Sequence, residues 1–247
     1  MFAQKMPARP VHSASVALPF PSGRLSISGA TVQGTTETDA FDVVVDDKGE
    51  VCVFVVRVAS PLEPPPGVAA EALATTRVAI KSRLPVYELV AEIRRLGGDR
   101  GSSFGLSLLR FSPRDARVEI LVAGMPPVVR LQAGADPVVH PALSGAIGES
   151  FTEVHPYELS PLIWGSAWVL ASDGVTGGLR DSAVLAGRLT GSELERRAFE
   201  LSSTPSFELS PLITGLSGPE SAHLDRTLLI VHADPTQRRD SAVPGLR

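Results

Sequence analysis

Leu170-Ala-Ser-Asp-Gly-Val-Thr176 is the stretch of this chain that says most about its fold. It closes an apolar, strand-like run over residues 167–171 and places Asp173 directly after the strand end. An Asp-Gly pair at such a place also fits a plain tight turn. The segment therefore becomes informative through its order relative to other segments of the chain.

Four further segments accompany it in a fixed order, and each joins an apolar run to a turn or an acidic residue. Upstream lie Gly34-Thr-Thr-Glu-Thr-Asp-Ala-Phe-Asp42, Phe54-Val-Val-Arg-Val-Ala-Ser60 and Val122-Ala-Gly-Met-Pro-Pro-Val-Val129, and downstream lies His223-Leu-Asp-Arg-Thr-Leu-Leu-Ile-Val231. Each segment is weak evidence alone, and their common order and spacing carry the interpretation.

Together these segments resemble the PPM-type (SpoIIE/RsbU-like) protein phosphatases over about residues 24–232. The matches are strongest around Ala123-Gly124 and Asp173-Gly-Val-Thr176. Several family residues are replaced: Arg57 and Leu224 stand where aspartates are expected, Met125 where a histidine is expected, and Glu37-Thr38 where paired glycines are expected. The chain is therefore similar to a degenerate member of that family.

The pattern of elements predicts an α+β fold, a four-layer α/β-β/α sandwich of two antiparallel sheets flanked by helices. We expect a flexible segment over residues 1–22, one phosphatase-like domain over 23–233 and a flexible tail over 234–247. Strands are predicted at 24–27, 41–45, 51–58, 104–111, 118–122, 128–131, 167–171 and 227–231, with 104–131 forming an antiparallel meander. Helices are predicted at 68–81, from Pro85 to a stop at Gly97-Gly98, and near 192–201.

One short sequence occurs twice, as Tyr157-Glu-Leu-Ser-Pro-Leu-Ile163 and Phe207-Glu-Leu-Ser-Pro-Leu-Ile213. The surrounding pattern is not repeated, so the two copies do not indicate a solenoid. We interpret both as entries from a loop into a strand.

The resemblance implies a site for two divalent cations, of which Asp39 and Asp173 are the residual ligands. Such cations need several oxygen ligands to activate a water and to hold phosphoryl oxygens. An arginine at position 57 changes the local charge by two units and repels a cation. We therefore expect Arg57 to fill the site by pairing with Asp39, Asp173 or both. The remaining candidate positions at the altered site are Asp42, Glu63, Leu224 and Asp225.

Two functions follow from the resemblance. The first is a catalytically impaired phosphatase domain that binds a protein partner in bacterial signalling, for example a phosphorylatable regulatory protein, and that needs no cofactor. The Pro61–Gly67 loop and the Pro126-Pro127 corner are its candidate contact surfaces. The alternative is an active but weak Mn- or Mg-dependent serine/threonine protein phosphatase. The charge at position 57 separates the two.

The composition of the chain limits the kinds of partner and the cellular compartment that we expect for it. A net charge of −4 and scattered arginines give no basic surface for nucleic acid. No apolar stretch reaches the length of a membrane span. The single cysteine, Cys52, excludes a disulfide within the chain, and a reducing cytoplasm fits that usage.

Overall fold

The computed structural model describes residues 11–34, 38–59, 67–142, 144–148, 158–176, 209–217 and 223–235. Their strands form two antiparallel sheets. The six-stranded sheet has the order β1 (Val11–Phe20), β2 (Gly23–Val32), β11 (Arg226–Pro235), β10 (Ser166–Ala171), β7 (Val128–Gln132), β8 (Val138–His140). The five-stranded sheet has the order β3 (Asp39–Val45), β4 (Val51–Ala59), β5 (Ser103–Ser112), β6 (Arg117–Ala123), β9 (Glu158–Pro161).

The apolar side chains of these elements form three buried layers. Helices α1 (Val68–Lys81) and α2 (Val86–Arg100) pack on the outer face of the five-stranded sheet. The two sheets pack face to face around a second layer that includes Trp168 and Phe111. The short helices α3 (Asp173–Thr176) and α4 (Ser210–Leu216) cover the outer face of the six-stranded sheet. The predicted four-layer α+β sandwich is confirmed.

The near-continuous apolar sequence of β4 follows from this layering. The strand lies between β3 and β5, with helices on one face and the second sheet on the other. Residues 51–56 are at most 1% exposed. A strand buried on both faces needs apolar residues at every position and not at alternate positions.

Two of the predicted boundaries differ from the structure. Residues 11–20 belong to strand β1, which pairs along its whole length with β2, although the sequence placed them in a flexible segment. Pro19 lies within β1, and β1 is an edge strand, where a residue without an N–H donor is tolerated. Strand β11 continues to Pro235, so it includes the first two residues of the expected tail, 234 and 235. The helix predicted near 192–201 lies outside the described residues, as do residues 1–10 and 236–247.

The predicted meander over 104–131 is also wrong in its third strand. Strands β5 and β6 pair with each other, whereas β7 crosses to the other sheet and pairs with β10 and β8. The chain turns at Gly124, whose φ of +58° favours glycine. The following prolines, Pro126 and Pro127, are buried, so this corner is not the contact surface that the sequence suggested.

Helix α2 passes through the predicted stop at Gly97-Gly98 and ends at Arg100, where Gly101 takes the left-handed conformation with φ +62°. The two internal glycines have different surroundings. A Cβ on Gly97 would lie 2.6 Å from the backbone oxygen of Ser102, whereas a Cβ on the exposed Gly98 would meet nothing within 4 Å. Only Gly97 is required by packing.

We therefore expect opposite effects from the same substitution at adjacent positions. Gly98→Ala should raise the free energy of unfolding by roughly 0.5–1 kcal/mol, because alanine has the higher helix propensity. Gly97→Ala should lower it by about 1–3 kcal/mol, because the carbonyl of Ser102 must move. Urea denaturation followed by circular dichroism measures both. Equal effects of the two variants would show that the close approach at Gly97 is not a constraint.

None of the helices in the described ranges is long and apolar enough to span a membrane.

Candidate functional site

Four strand ends meet at one edge of the sandwich and bring together Asp39, Arg57, Asp173 and Asp225. Asp39 begins β3, and Arg57 lies near the end of β4 as its partner in register. Asp173 follows β10, and Asp225 precedes β11, which pairs with β10. Asp39 and Arg57 lie in the five-stranded sheet, whereas Asp173 and Asp225 adjoin strands of the six-stranded sheet. The two sheets must therefore pack before the cluster exists.

Strand alternation decides which side chains point into this edge. In β3, Phe41 and Val43 pack in the layer between the sheets. Asp39 has the same parity, because side chains two residues apart in a strand share a face. Asp42 has the opposite parity and faces α1, where its Oδ2 accepts a hydrogen bond of 2.5 Å from Arg77 Nε. The structure thus separates Asp42 from the cluster.

Arg57 forms an ion pair with Asp173 across the gap between the two sheets. Asp173 is 6% exposed, and 22% of the Arg57 side chain is exposed. The expected pairing of Arg57 with Asp173 is present. Removing one member of such a pair leaves a poorly solvated charge behind, so the two residues depend on each other.

The Asp39 carboxyl lies in an unfavourable setting for a negative charge. Burial, together with a smaller contribution from the neighbouring Asp225, raises its pKa from 3.8 to about 7, against the opposing effects of the Ser172 hydroxyl, Arg57 and the Thr227 hydroxyl. Its Oδ2 atom is buried and makes no well-formed hydrogen bond to any described residue. The attraction of Arg57 therefore does not outweigh the cost of desolvation.

The Asp225 carboxylate holds the backbone at the start of β3. The residue is 2% exposed, and its two oxygens accept hydrogen bonds from the N–H groups of Gly34 (2.5 Å), Thr38 (2.6 Å) and Asp39 (3.0 Å). A hydroxyl of Thr38 adds a longer contact of 3.4 Å. Asp225 thus anchors the two sides of the 35–37 segment to β11.

The two remaining candidate positions for a metal ligand are Leu224 and Glu63. Leu224 is half-buried, and its backbone packs against Gly34, where a Cβ would lie 2.4 Å from the Leu224 carbonyl carbon. No carboxylate is supplied at that position. Glu63 lies outside the described residues, together with the prolines around it.

The carboxylate oxygens of this cluster are not arranged to bind a pair of divalent cations. The described residues include no group of three or more His, Cys, Asp or Glu side chains arranged to hold a metal ion. Arg57 supplies a fixed positive charge beside Asp173 and Asp39, and the oxygens of Asp225 are directed at backbone N–H groups. Hard divalent cations require several free oxygen ligands, which this cluster does not offer.

Sequence reasoning missed the hydroxyl residues that line the base of the cluster. Ser172 Oγ accepts a hydrogen bond of 2.9 Å from Thr227 N–H, and the Thr227 and Thr31 hydroxyls are 2.8 Å apart. All three residues are at most 3% exposed. The available signal was the position of Ser172 and Thr227 at the ends of apolar strands, beside the acidic residues.

The fold is similar to that of several solved structures, although no protein-family model and no curated protein matches the chain. The chain is 15% identical to the PP2C phosphatase domain of the cell fate determinant SpoIIE from Bacillus subtilis, with 93% of this chain and 71% of that one covered and a TM-score of 0.64. It is 20% identical to the RsbU and RsbW domains of a Mycobacterium tuberculosis protein, with 90% and 64% covered and a TM-score of 0.62. It is 12% identical to RsbX in complex with magnesium, with 88% and 98% covered and a TM-score of 0.61. The chain thus has the fold of the PPM (PP2C) phosphatase domain.

Proposed function

We propose that this chain, which has the PPM phosphatase fold, is a catalytically impaired phosphatase domain that acts by binding a protein partner. The Arg57–Asp173 ion pair carries the proposal. In metal-dependent phosphoryl hydrolysis, cations activate a water and stabilise the charge on the phosphoryl oxygens. A guanidinium supplies positive charge but cannot lower the pKa of a bound water by coordination. On this proposal, the cluster corresponds to a phosphatase site that has lost its set of metal ligands.

The charge balance supports the same conclusion. An arginine in place of an aspartate changes the local charge by two units, and each unit pair at about 4 Å corresponds to roughly 4 kcal/mol at an effective dielectric constant near 20. Asp225 offers no compensation, because its oxygens bind backbone N–H groups. We propose that no metal cofactor is needed.

The comparisons suggest the kind of partner. One similar structure contains RsbU and RsbW domains in the same protein, and another concerns the bacterial stressosome. We propose that this chain likewise works in bacterial signalling, by binding a phosphorylatable regulatory protein. Cys52 is buried and forms no disulfide, in keeping with a role in a reducing cytoplasm.

Restoring the missing carboxylates should create metal binding. We expect the wild type to show no Mn-dependent hydrolysis of p-nitrophenyl phosphate or of a phosphoserine peptide. Arg57→Asp combined with Leu224→Asp should bind Mn at least roughly 100-fold more tightly than the wild type, because repulsion is replaced by attraction. Isothermal titration calorimetry measures the affinity, and phosphate release with Mn or Mg, and with EDTA, measures turnover.

A matched variant controls for the change in net charge. Arg94→Asp with Leu159→Asp makes the same two substitutions at positions where both side chains are exposed, and it should leave Mn binding unchanged. Turnover by the wild type that depends on Mn or Mg and is abolished by EDTA would favour the alternative, a weak metal-dependent serine/threonine phosphatase. Circular dichroism verifies that each variant is folded.

A further inference from the structure

A groove of about 560 Å³ runs along strand β3, between β1 and the first turns of α1. Its volume lies in the range of ligand-binding clefts. Val16 and Leu18 of β1 form one wall, and Ala69, Ala70 and Leu73 of α1 form the other. The floor is β3 itself, which contributes residues from both of its faces. The groove therefore follows the edge of the five-stranded sheet.

In the part of the chain that the structure describes, no strand pairs with the outer edge of β3. The strand is the last of its sheet, with β4 as its one partner among the described strands. Thr38 O accepts a hydrogen bond from Val58 N, and Asp46 N donates one to Glu50 O, so even-numbered residues direct their N–H and C=O groups toward β4. The N–H and C=O groups of Phe41, Val43 and Val45 therefore point away from β4, along the open edge.

The ionisable side chains that line the groove in the described part of the chain are acidic. They are Asp39 and Asp42, and among the described residues no lysine or arginine lines the groove. Asp42 is paired with Arg77, whereas Asp39 Oδ2 is buried without a well-formed hydrogen bond to the described residues. A basic side chain would complement the Asp39 end.

We propose that this groove binds an extended segment of a partner protein, which adds to β3 as a further strand. Backbone hydrogen bonds to an exposed sheet edge give affinity in such complexes, and alternate side chains give specificity. Here alternate residues of the segment would be apolar and would pack against α1 and β1. A lysine or arginine would lie at the Asp39 end. The proposal deepens the function proposed above by naming the surface and the kind of segment that binds there.

The probe is a fluorescent heptapeptide, Lys-Val-Thr-Val-Thr-Val-Thr, titrated in EDTA and followed by fluorescence anisotropy. We expect a Kd of roughly 100 μM or tighter. Because the register is unknown, two N-methylated forms are compared, one blocked at odd and one at even positions. One of them should bind at least tenfold more weakly, since it lacks the N–H donors that face β3. The peptide with Glu in place of Lys should bind at least fivefold more weakly.

Variants of the protein locate the binding to the edge. Val43→Pro removes an N–H group that points away from β4, and an edge strand tolerates proline there. Val16→Lys places a charge at a rim position that is 38% exposed and perturbs packing little. Both variants should weaken binding at least tenfold. Val78→Lys, on a 63% exposed position of α1 outside the groove, is the matched control and should bind like the wild type.

Several results would overturn the proposal. They are the absence of peptide binding, equal binding by both N-methylated forms and the parent peptide, and binding that is unaffected by Val16→Lys. A dimer of the wild type that Val43→Pro dissociates would assign the edge to a second copy of the chain. If the peptide binds only after residues 1–10 are deleted, the edge of β3 would be assigned to the chain's own N-terminal segment. Binding in EDTA and Mn-dependent turnover are separate readouts, so either proposal can fail alone.

Discussion

Asp225→Ala should lower the free energy of unfolding by about 3 kcal/mol, because it leaves three backbone N–H groups without their acceptor. Hydrogen bonds to a charged group contribute more than neutral ones, and an unsatisfied buried donor costs about 1–3 kcal/mol. The N–H groups of Gly34, Thr38 and Asp39 are only partly buried, so water replaces some of the lost interaction. Against a typical domain stability of about 5–15 kcal/mol, the loss is large.

The measurement is urea denaturation at pH 5.5, followed by circular dichroism. At that pH the Asp39 carboxyl is mostly protonated, because its pKa is raised to about 7, so relief of its repulsion by Asp225 does not mask the loss. Asp225→Asn keeps one acceptor oxygen and should cost about half as much. Asp136→Ala, at an exposed aspartate, is the control. A change of less than about 0.5 kcal/mol for Asp225→Ala would show that Asp225 does not anchor the start of β3.

Asp39→Asn should make the protein more stable than the wild type at pH 8 but not at pH 4. The pKa of Asp39 is about 7 in the folded protein, against 3.8 as its ordinary value. The folded state therefore binds more protons between these two pH values, and wild-type stability falls as the pH rises through that window. The full linkage would be on the order of 4 kcal/mol, and partial access of solvent to the residue reduces it to about 2 kcal/mol.

The informative quantity is the difference in unfolding free energy between Asp39→Asn and the wild type, measured from pH 4 to pH 8. If this free-energy difference is the same at every pH, it reflects the packing of the amide. If it grows as the pH rises to about 7, it reflects the titration of Asp39. Asp47→Asn, where 97% of the side chain is exposed, controls for replacing a carboxylate by an amide. A flat difference across the whole range would contradict the assigned burial of the Asp39 charge.

Most of the fold could be predicted from local patterns. Helix α1 has the predicted bounds, and the predicted strands correspond to β2, β3, β4, β5, β6, β7, β10 and β11. Hydrophobic periodicity, proline and glycine carry this information within a few residues. Strands β8 and β9 are three and four residues long, too short for a clear periodic signal.

The candidate site could be predicted only in part. Order along the chain suggested that Asp39, Arg57 and Asp173 belong together, and the ion pair of Arg57 with Asp173 agrees with that. The sequence could have excluded Asp42 from the cluster around Asp39, because residues three apart in a strand lie on opposite faces. The role of Asp225 could not be predicted from the sequence. It depends on backbone N–H groups about 190 residues away along the chain, which approach only when β2 and β11 pair.

The repeated Glu-Leu-Ser-Pro-Leu-Ile shows where local sequence stops being sufficient. The first copy forms β9 on the edge of β6, as interpreted, whereas the second enters helix α4, so its interpretation as a strand entry was wrong. Leu159 is 58% exposed in the strand, and its counterpart Leu209 is 1% exposed beside the six-stranded sheet.

The sequence by itself determined which segments are apolar, where the main strands and helices lie, and that position 57 carries the charge of an arginine. Only the tertiary structure decided which conformation each Glu-Leu-Ser-Pro-Leu-Ile copy takes and how the carboxylates at the sandwich edge are used. The physical reason is that a short segment has similar free energies as strand and helix, so burial against distant elements selects one. In the same way, the Asp173 carboxylate acquires Arg57 as its partner only when the two sheets pack.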